Sequence, residues 1–354
     1  MANTNDYPWT EEPLIAAAPM RLIALSELAC AVSNALGLGF IGAGNDVSNL
    51  EEELEKSKKL LRVQSGSNVL PIGVGFLVWA GDGLLQKALQ IVAKYRPAAV
   101  WLFAPKEKHQ LSQWTEEMRR VTDNQTKIWI QIGTVADACE VTKSCSPDVL
   151  VVQGTDAGGH GLNQGASIIT LLPEVDDAIG PVCVSDGKPK PQLIGAGGIM
   201  DGRGVAAALA LGATGVCLGT AYLATPEANI AKGYQDAVLC AADGGVTTAR
   251  GKLYDALRGT TDWPDRYGGR GVLNESWFDN GKGMSFEENK LLYDEALKKG
   301  DSGWGSQARL TTYAGTGVGL VKSVRSAEVI TEEVRRVALG VLEGMYKTKP
   351  RAEQ

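Results

Sequence analysis

The segment Gln153-Gly154-Thr155-Asp156-Ala157-Gly158-Gly159-His160-Gly161 carries the most chemically suggestive side chain in the sequence. The chain has two histidines, and His160 is the one framed by glycines directly after an apolar run, Asp148–Val152. Imidazole titrates near neutrality, so it can take up or deliver a proton at working pH. Flanking glycines let backbone N–H groups approach a ligand closely. His109 lies in Lys106-Glu107-Lys108-His109-Gln110 and reads as the solvated start of a helix. A lone histidine is commonly structural, and the glycine frame is what sets His160 apart.

Three other places offer complementary chemistry. In Ala17-Ala18-Pro19-Met20, a proline and a methionine at the end of an apolar run can lie flat against a planar ring, the alternative being a plain strand exit. Gln131, in Gln131-Ile132-Gly133-Thr134, can hydrogen-bond a heterocycle's carbonyl or ring nitrogen, or simply face solvent. Gly195-Ala196-Gly197-Gly198-Ile199 and Gly219-Thr220 each follow an apolar run. Together they can cradle a phosphate on backbone N–H groups, although glycines also serve close helix–strand packing. A doubly wound nucleotide loop is a weaker reading, because the GxGxxG spacing after an early strand is missing. A phosphorylated planar cofactor satisfies all four places, and FMN is the economical choice, with His160 the candidate proton handler beside it.

Such residues converge only if the fold brings strand ends together. Eight continuous apolar runs read as buried parallel strands: Leu14–Ala18, Leu38–Gly42, Leu70–Val74, Ala99–Phe103, Ile128–Ile132, Val149–Val152, Gln192–Gly195 and Gly215–Leu218. Helical patterns alternate with them at Ser26–Leu36, Asn49–Val63, Gly83–Tyr95, Ser112–Val121, Thr134–Lys143, Ile168–Ala178 and Arg203–Leu211. Eight repeats predict an α/β fold of the (β/α)₈ TIM-barrel type, whose site lies at the strands' C-terminal ends. The alternation breaks after Thr225. The expected division is an FMN-binding barrel at 1–225, an inserted and mainly helical subdomain at 226–308, and a C-terminal segment at 309–354 that completes the barrel. One charged helix, Ser285–Lys299, stands out in the insertion, and a helix over Ala327–Gly344 closes the chain. Trp263, Trp277 and Trp304 in or near the insertion could line a pocket, with buried packing the expected role.

Bulk properties narrow the function classes. The 354 residues carry a net charge of -6, with no run of Lys/Arg interleaved with aromatics. That argues against nucleic acid or an anionic membrane as partner. No apolar run is long enough for a membrane span, and the polar start lacks a signal peptide's basic and apolar regions. Lys349-Pro350-Arg351-Ala352-Glu353-Gln354 is neither a peroxisomal nor a prenylation signal. The six cysteines form no CxxC pair and no zinc motif, so they read as reduced core residues of a cytoplasmic protein, and no metal site is expected.

The ordered motif set resembles the nitronate monooxygenases, formerly called 2-nitropropane dioxygenases. The resemblance rests on Ala18-Pro19-Met20, the stretch from Ala31 to Gly42, Gly158-Gly159-His160-Gly161, Ile194-Gly195-Ala196-Gly197-Gly198-Ile199, Leu218-Gly219-Thr220, and Ala314-Gly315-Thr316-Gly317-Val318-Gly319-Leu320. It covers residues 12–225 and the tail from about 310. It implies a barrel that binds FMN non-covalently through Ala18, Pro19, Met20, Gln131, Ala157, Gly158, Gly159, Ala196, Gly197, Gly198, Gly219 and Thr220. It implies that His160 is catalytic and that alkyl nitronates react with O₂ to a carbonyl compound and nitrite. The partners are then a small-molecule substrate and O₂, and a homodimer is one assembly open to the chain. Two positions depart from the family pattern: Gly75 stands where many members have Asn, and Ala221 where many have Arg. They bear on substrate class. Alternatives are a related FMN barrel such as an NAD(P)H-dependent enoyl-thioester reductase, a flavin enzyme of specialised metabolism, and a non-catalytic flavin-binding scaffold.

Overall fold

Alternation along the apolar runs sorts their side chains into two sets, and the two sets build the two layers of the molecule. The computed structural model describes residues 6–346. The sequence readings at 1–5 and 349–354 lie outside the described residues. The barrel strands are β1 (Leu14–Ala17), β2 (Phe40–Gly44), β3 (Leu70–Leu77), β4 (Pro97–Phe103), β5 (Lys127–Ile132) and β6 (Val149–Gln153). A short strand outside the barrel, β7 (Gly159–Leu162), intervenes before β8 (Gln192–Ala196) and β9 (Gly215–Leu218). The eight barrel strands pair in parallel in the order β1-β9-β8-β6-β5-β4-β3-β2. Closure comes just before β2, where Leu38 N–H donates to Ile15 O at 3.0 Å and Ala17 N–H to Leu38 O at 3.1 Å.

Inward side chains such as Phe40, Trp101, Trp129, Val151 and Ile194 fill the barrel. Outward ones such as Ile41, Val74, Val100, Ile130 and Val152 meet the helices. Trp101 and Trp129 stack at 5.8 Å between centroids. Trp129 Nε1 donates to the Tyr7 hydroxyl at 2.7 Å, and Tyr7 packs edge-on against Trp9. Because Asp6 pairs with Lys127 at the start of β5, this aromatic group seals the strands' N-terminal end. The cavity must therefore open at the other end.

Helices α1 (Ser26–Asn34), α2 (Leu50–Leu60), α3 (Asp82–Tyr95), α4 (His109–Val121), α5 (Val135–Cys145), α6 (Ile168–Asp186) and α7 (Gly202–Ala210) wrap the strands. The expected stop of the sixth helix at Ala178 is overrun: α6 continues through Pro173 and Pro181 because Ile179 and Cys183 bury against the barrel. Packing outweighs the lost amide there.

Beyond Thr225 the chain forms α8 (Lys232–Cys240), α9 (Gly244–Thr247), β10 (Thr248–Gly251), α10 (Leu253–Arg258), β11 (Tyr267–Val272), α11 (Glu275–Gly281) and α12 (Phe286–Lys298). Only α12 was evident from periodicity. β11 pairs antiparallel with β10 on one side and β7 on the other, setting Gly269 opposite His160 and Arg270 opposite Gly159. Its run Tyr267-Gly268-Gly269-Arg270-Gly271 has no apolar alternation to advertise a strand. The glycines make room: a Cβ on Gly269 would lie 2.5 Å from the Tyr313 ring, and one on Gly271 would lie 3.0 Å from Tyr254.

The final helix, α13 (Ala327–Tyr346), returns to the barrel and packs on α7 and α1. Arg335 fastens it by donating to Ala35 O at 3.0 Å and Leu36 O at 2.8 Å. All six cysteines are free, but Cys240 at the end of α8 is exposed and Cys139 half-buried, so these two are not core residues.

Candidate active site

The C-terminal strand ends open into a cavity of about 680 Å³. His160 and every residue anticipated as a cofactor contact line it. Gly75 lines it too, and a Cβ there would lie 2.3 Å from Pro19. Glycine at 75 thus allows Pro19 to press against β3. Ala221 is different: it is buried in the core behind the cavity and forms none of its wall.

One side of the cavity is backbone. Gly197 and Gly198 follow β8 with φ of +98° and +76°, which only glycine adopts readily. Among the described residues their N–H groups bond to no protein acceptor. The Thr220 hydroxyl accepts from Gly315 N–H at 3.0 Å, which leaves its own proton to donate. Donors of this kind at the ends of the seventh and eighth barrel strands are suited to an anion. Gln131 projects from β5 with Oε1 held by Trp101 Nε1 at 3.0 Å, while its buried Nε2 has no partner. A buried donor without an acceptor is costly unless a ligand supplies one. A phosphorylated ring system with carbonyl or ring-nitrogen acceptors fits both observations.

The loop from Gly154 to Gly159 is fixed from beneath. Arg250, on β10, donates to Ala157 O at 2.6 Å, Gly159 O at 2.8 Å and Gly268 O at 2.7 Å. Burial, with the neighbouring Arg270 cation, pushes the Arg250 guanidinium down to about 10, so it stays charged at neutral pH. Thr316 N–H donates to Asp156 O at 3.0 Å, tying in the glycine-rich C-terminal stretch. Gly158 serves that packing, since a Cβ on it would lie 2.4 Å from Gly315 N. Its glycine is needed against protein, not only against a ligand.

His160 stands in β7, whose only strand partner among the described residues is β11. Its Nε2 lies 2.8 Å from Asp255 Oδ1, and its ring stacks on Trp263 at 3.7 Å between centroids and 4° between planes. The Tyr313 hydroxyl donates to the same Asp255 oxygen at 2.7 Å. Burial, then the Asp255 charge, raises the Tyr313 phenol far above its ordinary range, so it keeps its proton. Trp79, Phe103 and Tyr267 surround Trp263 at 5.9–6.3 Å and complete an aromatic roof. Of the three tryptophans considered from sequence, Trp263 and Trp304 line the cavity, whereas Trp277 packs on Tyr254. Asp255 and Tyr313 carry no local motif. Their only sequence signal is the glycine pattern of β11, readable once its pairing is known.

An imidazole at the mouth of a parallel barrel, lining one cavity with acceptor-free backbone amides and an unpartnered glutamine, defines a barrel enzyme. The chain belongs to the nitronate monooxygenase family, whose model matches residues 8–250. It is 46% identical over 349 residues to the nitronate monooxygenase npaC of Metarhizium robertsii, covering 96% of this chain and 95% of that one. It is 36% identical to a nitronate monooxygenase of Neurospora crassa, covering 94% and 90%. Among solved structures it resembles FabK from Thermotoga maritima, at TM-score 0.73 and 21% identity over 97% of each chain. It also resembles the nitroalkane oxidase from Streptomyces ansochromogenes, at TM-score 0.73 and 22% identity, covering 98% of this chain and 100% of that one. These two likenesses confirm the TIM-barrel fold. Among the described residues no helix is long and apolar enough to cross a membrane.

Proposed function

We propose that this enzyme binds FMN in the cavity and oxidises alkyl nitronates with O₂ to a carbonyl compound and nitrite. The observation that carries the reading is the convergence of His160, the Gly197–Gly198 amides and the unpartnered Gln131 Nε2 on one cavity. In this reading Gly197, Gly198, Gly219 and Thr220 hold the phosphate, while Gln131 meets the polar edge of the ring. Ala18, Pro19, Met20 and Ala196 supply apolar surface, and the fixed backbone of Ala157, Gly158 and Gly159 borders the cofactor. Bound FMN would supply the electron-accepting chemistry. The chain's own tasks are to hold the substrate under the Trp263 roof, to shut out water, and to move protons at His160. For a preformed nitronate the imidazole orients the nitro group, and for a neutral nitroalkane it removes the α-proton.

The overall stoichiometry closes with two nitronates and one O₂ giving two carbonyls and two nitrites. Residues 226–308 form the subdomain over the barrel mouth in this reading, and the protein acts in the cytoplasm as a homodimer. The test is an absorbance spectrum of the purified protein followed by anaerobic titration. A flavin spectrum bleached by an alkyl nitronate, and not by NADH, is expected. A colourless protein, or a flavin indifferent to every nitronate, overturns the proposal.

A further inference from the structure

Asp255 is a buried carboxylate, its side chain 5% exposed, and no lysine or arginine pairs with it among the described residues. Its Oδ1 accepts from Tyr313 at 2.7 Å and from Thr260 at 3.3 Å, and meets His160 Nε2 at 2.8 Å. Its Oδ2 is buried without a partner. An ionised carboxylate offers acceptors only, so the imidazole must present Nε2–H to it. The ring makes no other hydrogen bond among the described residues, and Trp263 holds its plane. A buried carboxylate without a cation is costly, and an imidazolium would be its counter-ion.

We propose that Asp255 is a positioning residue that fixes His160 as the Nε2–H tautomer and reserves Nδ1 for taking the α-proton of a neutral nitroalkane. The inference rests on His160 being the proton handler of the proposed function. In the step, the α C–H bond breaks, its proton goes to Nδ1, and its electron pair stays on the substrate as the nitronate. The resulting imidazolium and Asp255 form a neutral pair in the low-dielectric site. Other charged or titratable groups around the pair include Tyr313, Arg258 at 5.6 Å from the Tyr313 ring, Tyr254 and Tyr234 against Tyr313, Asp262 on the cavity wall, and Arg250 and Arg270 beside Gly159.

With two histidines in the chain, imidazole nitrogen NMR on the ¹⁵N-histidine holoprotein reads the tautomer directly, and H109Q assigns the signals. The Nε2–H form of His160 is expected. D255N should lower the His160 titration midpoint, because a stabilising negative charge is gone. Y313F should raise it, because the carboxylate loses a competing donor. Asp255→Asn should also slow nitroalkane turnover about 10²-fold while slowing preformed nitronate less than tenfold. An Nδ1–H tautomer, or an unmoved midpoint in both variants, overturns the inference, as does an equal loss on both substrates. If D255N fails to fold, Y313F alone decides through the sign of its shift. H160N separates the two levels. If it retains nitroalkane turnover, the role of His160 falls. If it abolishes turnover while D255N moves nothing, only the positioning role of Asp255 falls.

Discussion

The two walls of the cavity are built in different ways. The wall at β8 and β9 is backbone: short glycine segments at strand ends present amides that only need the barrel to close. The other wall is made of side chains from distant parts of the sequence: His160, Trp263 and Tyr313 line it, and Asp255 backs the imidazole, all brought together by the pairing of β7 with β11. The first wall suits recognition of a ligand held in one way. The second suits chemistry that must be tuned, because each side chain can be altered alone.

Substitutions can break or sharpen this contrast. The largest effect is expected at the second wall: His160→Asn should cut kcat on a neutral nitroalkane by about 10²-fold or more while the flavin spectrum survives. Lost flavin with lost activity would place His160 among the cofactor contacts instead. Next comes the backbone wall. Gly197→Ala puts a Cβ 2.9 Å from Gly154 O at φ +98°, and the affinity for FMN should fall about tenfold or more, read by fluorescence titration. Gly269→Ala pushes on the Tyr313 ring and should cost about 1–3 kcal/mol in denaturant unfolding of the holoprotein. The smallest effect is expected from Trp263→Leu, which removes the stack on His160 but keeps the roof apolar. KM should rise about three- to tenfold, as expected for a lost aromatic contact of about 0.5–1.5 kcal/mol.

The same contrast explains what could be read from the sequence. Continuous apolar runs revealed all eight barrel strands, because parallel strands covered on both faces need no other signal. Gly197-Gly198 and Gly219-Thr220 are legible as local motifs at strand ends, and the structure places both on the cavity. His160 was visible through its glycines, yet its setting was not: β11 is glycine-rich, and its strand character comes from β7 and β10 on either side. Asp255 lies in a six-residue helix and looks like any acidic surface residue, although it is almost wholly buried. Long-range pairing, rather than any local pattern, put it beside the imidazole. Gly75 and Ala221 also separate only in three dimensions, the one against Pro19 on the cavity wall and the other in the core.

The β10–β11–β7 sheet has a consequence for anyone exchanging parts between members of the family. His160 belongs by sequence to the barrel, but half of its strand's hydrogen-bonding edge is supplied by residues a hundred positions later. A chimera that imports the distal segment alone would mismatch the ladder, the Arg250 clamp and the Asp255 partner at once. The smallest transplantable unit is therefore discontinuous: the segment from Gly154 to Leu162 must travel with the stretch from Thr248 to Val272 and with Tyr313.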